Sequence, residues 1–64
     1  MSEIIKKRVE ANIGKVVLIF LNNNFRFEGK LTGCDNDYLE MLDFKSDSYR
    51  IIKFSEIKEL EVKE

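Results

Sequence analysis

A strand with glycines on its apolar side sets the shape of this chain. Phe25, Phe27, Gly29, Leu31 and Gly33 alternate with Arg26, Glu28, Lys30 and Thr32. A period of two is the pattern of a strand with one face packed and one face in water. Glycine inside a strand marks a sharp bend or the close approach of another backbone. A long second strand bent in this way curls one sheet onto both sides of a small barrel. The remaining segments fit around it. Val16–Leu21 is a continuous apolar and β-branched run of strand length. Asn22-Asn23-Asn24 follows, and Asn tolerates the left-handed backbone of a tight hairpin. Asp35-Asn36-Asp37 makes an Asx turn into a third strand over Tyr38–Leu42. After a polar loop from Lys45 to Ser48, Tyr49–Phe54 is the fourth strand. Ser55-Glu56 permits a single 3₁₀ step before a last strand carrying Ile57, Leu60 and Val62.

Upstream of Gly14 the period is helical. Ile5 and Val9 lie four apart with Ile4 beside them, which predicts a helix over about residues 2–12. Ser2 caps its start, Asn12 and Gly14 stop it, and Lys6, Lys7 and Arg8 fall on its solvent side. The expected fold is mainly β. One domain over residues 1–64 holds the short helix and then a strongly bent, five-stranded antiparallel barrel over about 14–63. Leu18, Phe27, Leu31 and Leu60 are the expected core.

A chain of 64 residues buries only about 60% of its unfolded surface, so its own core gives marginal stability. Small folds make up the deficit with disulfides, a metal or a partner subunit. Cys34 is the only cysteine and there is no histidine, which removes an intrachain disulfide and the usual zinc donor sets. Self-association remains. No apolar run approaches the roughly 20 residues that span a bilayer, and Met1 to Glu10 has no signal-peptide core. A cytoplasmic protein without a membrane partner is expected, and the lone thiol suits that compartment.

Catalysis is poorly served. No histidine is present to act as a base near neutral pH, and Cys34 has no partner to activate it, so it reads as a small core thiol beside a turn. Asp35-Asn36-Asp37 with Glu40 lacks the glycine and the spacing of a calcium loop. No cofactor is implied. Net charge is −1, but the charges are segregated. Residues 1–15 set four cations against two carboxylates, whereas residues 35–48 set five carboxylates against Lys45. Arg50 and Lys53 then form a small basic island. Such asymmetry permits a local anion site on a nearly neutral protein.

The ordered pattern resembles the Sm/Lsm family, including its bacterial Hfq branch. The first Sm motif is matched by Gly14, Val16–Leu21, Asn23-Asn24, Phe25–Phe27, Gly29, Leu31, Gly33 and Asp35. The second is matched in spacing by Ile51-Ile52-Lys53-Phe54-Ser55-Glu56-Ile57, with Lys53-Phe54 where the family has Arg-Gly. After the aspartate, the family places an aromatic or His, an apolar residue and an Asn that reads a base edge. This chain has an extra residue in the turn and offers Asn36 ahead of Tyr38.

The resemblance implies an RNA-binding ring, a homo-hexamer or homo-heptamer, that holds single-stranded, uridine-rich RNA without chemistry. The turn before strand three and the turn after strand four would face its pore. Asn36, Tyr38 and Lys53 would then supply an amide, a stacking ring and a cation. Lys53 read simply as a strand lysine would pair with Asp37 or Glu56. On the opposite face, where Hfq-like proteins use the first hairpin, the matching residues are Phe20, Asn23, Asn24 and Phe25. Strand four of one subunit would pair with strand five of the next, giving Ile51, Ile52, Ile57, Leu60 and Val62 as interface residues. Two other readings stand beside this one. The acidic stretch, the missing Asn and the absent Arg-Gly favour a scaffolding ring that has lost RNA. A monomeric barrel that recognises a peptide tail is the third.

Overall fold

The computed structural model describes residues 3–63. Its element order is α1 (Glu3–Ala11), β1 (Val16–Leu21), β2 (Arg26–Cys34), β3 (Tyr38–Asp43), β4 (Ser48–Lys53), a 3₁₀ turn η1 (Phe54–Glu56) and β5 (Ile57–Val62). All five strands join one antiparallel sheet in the order β4-β3-β2-β1-β5. The expected helix-then-five-strand architecture is therefore present. Phe54 lies in the 3₁₀ turn rather than in strand four. Ser2, read as the helix cap, is outside the described residues.

The sheet is strongly bent. Val17, Ile19 and Leu21 of β1, Leu31 of β2, Leu39 and Met41 of β3, Ile52 of β4, and Ile57 and Leu60 of β5 share one buried cluster. Strands sit about 4.8 Å apart, so the edges of a flat five-stranded sheet would lie roughly 19 Å from each other. Only curling brings Ile52 and Leu60 to one core. Gly29 permits the curl, because a Cβ there would run into the Leu42 carbonyl of the neighbouring strand. Near Gly33 the β2–β3 register shifts by a bulge, which adds local twist. Helix α1 closes one end, with Val9 buried and Ile5 packed against the core. Gly14, at φ +93°, takes the left-handed turn after it.

Several expected core positions are displaced. Leu31 and Leu60 are buried, but Leu18 is half-buried on the far face of β1, where it stands opposite Glu28 and Glu61. The core side of β1 is Val17, Ile19 and Leu21. A continuous apolar run has no period, so the sequence alone does not say which alternate set points inward. Phe27 is half-buried at the mouth of the barrel and packs on the core edge. Ile4 is exposed, because α1 presents only the Ile5–Val9 line to the sheet. Cys34, expected in the core, is exposed at the end of β2.

Candidate nucleic-acid interface

Tyr38 and Lys53 are direct cross-strand partners, the first residue of β3 opposite the last residue of β4. Opposed residues in an antiparallel pair carry their side chains on the same face within contact range. The turn ahead of Tyr38 is rigid for a local reason. The Asp35 carboxylate accepts from the backbone N–H groups of Asp37 and Tyr38, both at 2.8 Å, while Asp35 N–H donates to the Tyr38 carbonyl at 2.9 Å. Those two donors, Asp37 first and then Tyr38, hold the Asp35 carboxyl below the usual carboxylate range. The Phe54 N–H donates to the Asp37 carbonyl at 2.8 Å and ties the start of η1 to the same turn.

Asn36 thus sits at the apex of a fixed turn, exposed, beside an exposed tyrosine and an exposed lysine. Lys53 pairs with neither Asp37 nor Glu56; the ion pairs among the described residues are Lys6–Glu10, Arg50–Asp43 and Lys63–Glu28. Next along the same face come Glu40 and Ile51, also cross-strand partners. Glu40 is engaged by the Thr32 hydroxyl at 2.8 Å. Where the family places a glycine, Phe54 turns into the core and leaves Lys53 pointing to solvent. The thiol of Cys34, in the same shallow depression as Tyr38, is pushed up by partial burial and then by Glu10. That is opposite to what activation of a nucleophile needs.

The first hairpin forms as its asparagines suggest. Asn24 adopts φ +72°, and the Asn23 side chain accepts from the Phe25 N–H at 3.1 Å. Asn22 reaches across to η1, donating its amide to the Ser55 carbonyl at 3.1 Å. Phe20 is half-buried and Phe25 is 63% exposed. Of the four expected second-face residues, Asn24 and Phe25 line an open cleft at the barrel mouth; Phe20 and Asn23 do not.

That cleft contains a polar knot the sequence reading passed over. Asp43 is buried and accepts from Ser46 Oγ at 2.8 Å and Arg50 Nε at 3.0 Å. Arg50 and then Ser46 hold the Asp43 carboxyl below its ordinary value. The Arg50 guanidinium also lies 4.5 Å over the Phe27 ring. The signal was available. Asp43 faces Ser48 across the β3–β4 hairpin and Arg50 is two residues further on, so the two are diagonal neighbours on one face.

The sheet leaves β4 and β5 as its edges. Of the residues read as interface, Ile51 is 69% exposed on β4, whereas Ile52, Ile57 and Leu60 lie in the chain's own core and Val62 packs against it. The two edges therefore offer mainly backbone to a neighbour, with Ile51 as the free apolar side chain of the five.

No family model matches the sequence. No curated protein matches it. Among solved structures, the chain is similar to the crystal structure of the pleiotropic translational regulator Hfq, with a TM-score of 0.80 and 19% identity over 94% of this chain and 100% of that one. The likeness shows the Sm-like fold that the sequence pattern predicts.

Proposed function

We propose that this chain assembles into a ring of identical subunits that holds single-stranded, uridine-rich RNA at its pore and does no chemistry on it. The observation that carries this reading is the pairing of Tyr38 with the unpaired Lys53 across β3 and β4, next to the fixed Asn36 turn. Aromatic stacking, a phosphate-directed cation and an amide for a base edge are the minimum kit for holding a splayed base. One such site is modest. Repeated around a homo-hexamer or homo-heptamer, it becomes a circle of stacking and cationic contacts whose affinities multiply. The open β4 and β5 edges supply the assembly, since unpaired edges invite another strand. Likeness to a translational regulator agrees with a role on RNA in the cytoplasm.

The second reading, a scaffolding ring, draws on Asp35, Asp37 and Glu40, which set three carboxylates around Tyr38. Native mass and binding of a labelled uridine oligomer at low and high salt separate the two. A ring that binds at low salt and releases at high salt supports RNA holding. A ring that ignores the oligomer at low salt leaves the scaffold. A monomer at micromolar concentration removes the ring.

A further inference from the structure

The face that carries Tyr38 and Lys53 continues into a second row, Glu40 opposite Ile51. On its other side Glu40 is paired with Gly33 of β2, where a Cβ would meet nothing within 4 Å. Glu40 therefore stands between an exposed apolar side chain and a gap. Tyr38, Glu40, Ile51 and Gly33 line one shallow depression of about 210 Å³. Pockets for drug-sized ligands run to about 300–1,000 Å³, so this one suits a single flat base and little more. The carboxylate is also held in place. Thr32 Oγ1 donates to Glu40 Oε1 at 2.8 Å, and no ion pair among the described residues engages Glu40. A carboxylate has about four acceptor sites, so one hydroxyl leaves both oxygens able to accept.

Tyr38 and Glu40 are two residues apart on one strand face, about 6.8 Å along it. At that spacing the edge of a base stacked on Tyr38 comes within reach of the carboxylate. The four bases present different edges to it. Uracil offers one N–H between two carbonyls, so a carboxylate that takes the N–H sets its second oxygen against a carbonyl. Cytosine and adenine each offer one amine beside an unprotonated ring nitrogen. Guanine offers two adjacent donors, N1–H and the N2 amine, which match the two carboxylate oxygens. Hydrogen bonds to an ionised acceptor are the strong ones, and a bidentate pair adds geometric selectivity.

We infer that Glu40 makes the pore site selective for guanine: Tyr38 stacks the base, and Glu40, aligned by Thr32, accepts from its N1–H and N2 amine. The inference rests on the RNA-holding reading above and adds a base identity to it, so that the bound strand carries guanosine among its uridines. Glu40 touches the base, whereas Thr32 acts through Glu40 and is a positioning residue.

The test uses the full chain and three labelled oligomers of equal length. One is all uridine, the second has one central guanosine, and the third has inosine, which lacks the N2 amine, in the guanosine's place. The guanosine strand should bind about 5- to 150-fold tighter than the all-uridine strand, the discrimination of one bidentate contact. Inosine should lose most of that gain. Glu40→Gln should abolish it, because the amide turns an N–H towards the donors of the base. Thr32→Val should reduce the gain, and Thr32→Ser, which keeps the hydroxyl, should restore it. Equal binding of the guanosine and all-uridine strands overturns the inference. So does a gain that survives Glu40→Gln, or inosine bound as tightly as guanosine. All-uridine binding that Lys53→Ala still weakens would then leave the pore reading standing. A parent that binds no strand at low salt overturns both.

Discussion

Leu31→Ala and Leu18→Ala should separate by several-fold in cost, although the two leucines look equivalent in sequence. Leu31 is 0% exposed at the centre of the core cluster. Removing three side-chain carbons loses about 2.4 kcal/mol of transfer free energy at roughly 0.8 kcal/mol each. The cavity left behind brings the total into the range of about 2–5 kcal/mol. A chain of 64 residues has about 3–10 kcal/mol to lose, so Leu31→Ala should be severely destabilised or unfolded. Leu18 is half-buried on the other face, between Glu28 and Glu61, and its replacement should cost about 1 kcal/mol. Urea unfolding followed by circular dichroism measures both. Titrating protein concentration isolates any contribution from assembly, which shifts midpoints by mass action. Equal costs would refute the reasoning, because they would mean β1 is slipped by one residue and its faces are exchanged.

Gly29→Ala should lower the melting temperature sharply, since its Cβ meets the Leu42 backbone, while Gly33→Ala, with open space around it, should be mild. Parallel melts of the two variants check this. Asp43, ionised and held by Arg50 and Ser46, has a folded pKa below the ordinary 3.8. Its contribution is therefore complete above that value and is lost as pH falls through the lower folded one, so the stability gap between parent and Asp43→Asn should close in acid. A gap that stays constant from neutral pH to pH 2 would remove the ionic account. Lys53→Ala should weaken uridine-oligomer binding and flatten its salt dependence, whereas Tyr38→Ala should cost about 1–3 kcal/mol per stacked base with the slope unchanged. Native mass controls both.

The fold was legible because its signals are local and redundant. Alternation through β2 gave one strand, its glycines gave the bend, and the Asn and Asp turns gave the hairpins; each of these agrees with the backbone found there. Where a segment lacks a period, legibility stopped. Val16–Leu21 is apolar throughout, so its inward face depends on pairing with β2 and β5 rather than on its own residues. Cys34 failed for a different reason. The alternation of β2 runs unbroken to its end and puts Cys34 on the outward side with Arg26, Glu28, Lys30 and Thr32, so reading the thiol by its small apolar character alone, and not by its parity, misplaced it. The Asp43–Arg50 knot is a long-range consequence of hairpin register, and a reading by segments treats its two halves as surface charges.

The extra residue in the 35–37 turn bears most on what the pore reading requires. An insertion in a turn ordinarily loosens it, because each added residue brings backbone entropy that the folded state must overcome. Here the Asp35 carboxylate takes up both new freedoms by binding the Asp37 and Tyr38 N–H groups, and the Asp37 carbonyl is bound by Phe54 N–H. With the bond from Asp35 N–H to the Tyr38 carbonyl, four hydrogen bonds therefore fix a turn of three residues. Its apex residue, Asn36, has no protein partner for its side-chain amide among the described residues. Under the pore reading, the amide that the family carries on the strand after the aromatic has moved to a rigid turn before it. A base stacked on Tyr38 would then be approached from the side of the turn, with the Lys53 ammonium across the strand pair. That arrangement makes Asp35 a positioning residue: Asp35→Ala should free the turn and reduce uridine-oligomer affinity without altering the salt slope, while Asp35→Asn, which keeps the acceptor oxygen, should restore it. An Asp35→Ala variant that binds like the parent would place the amide contact elsewhere.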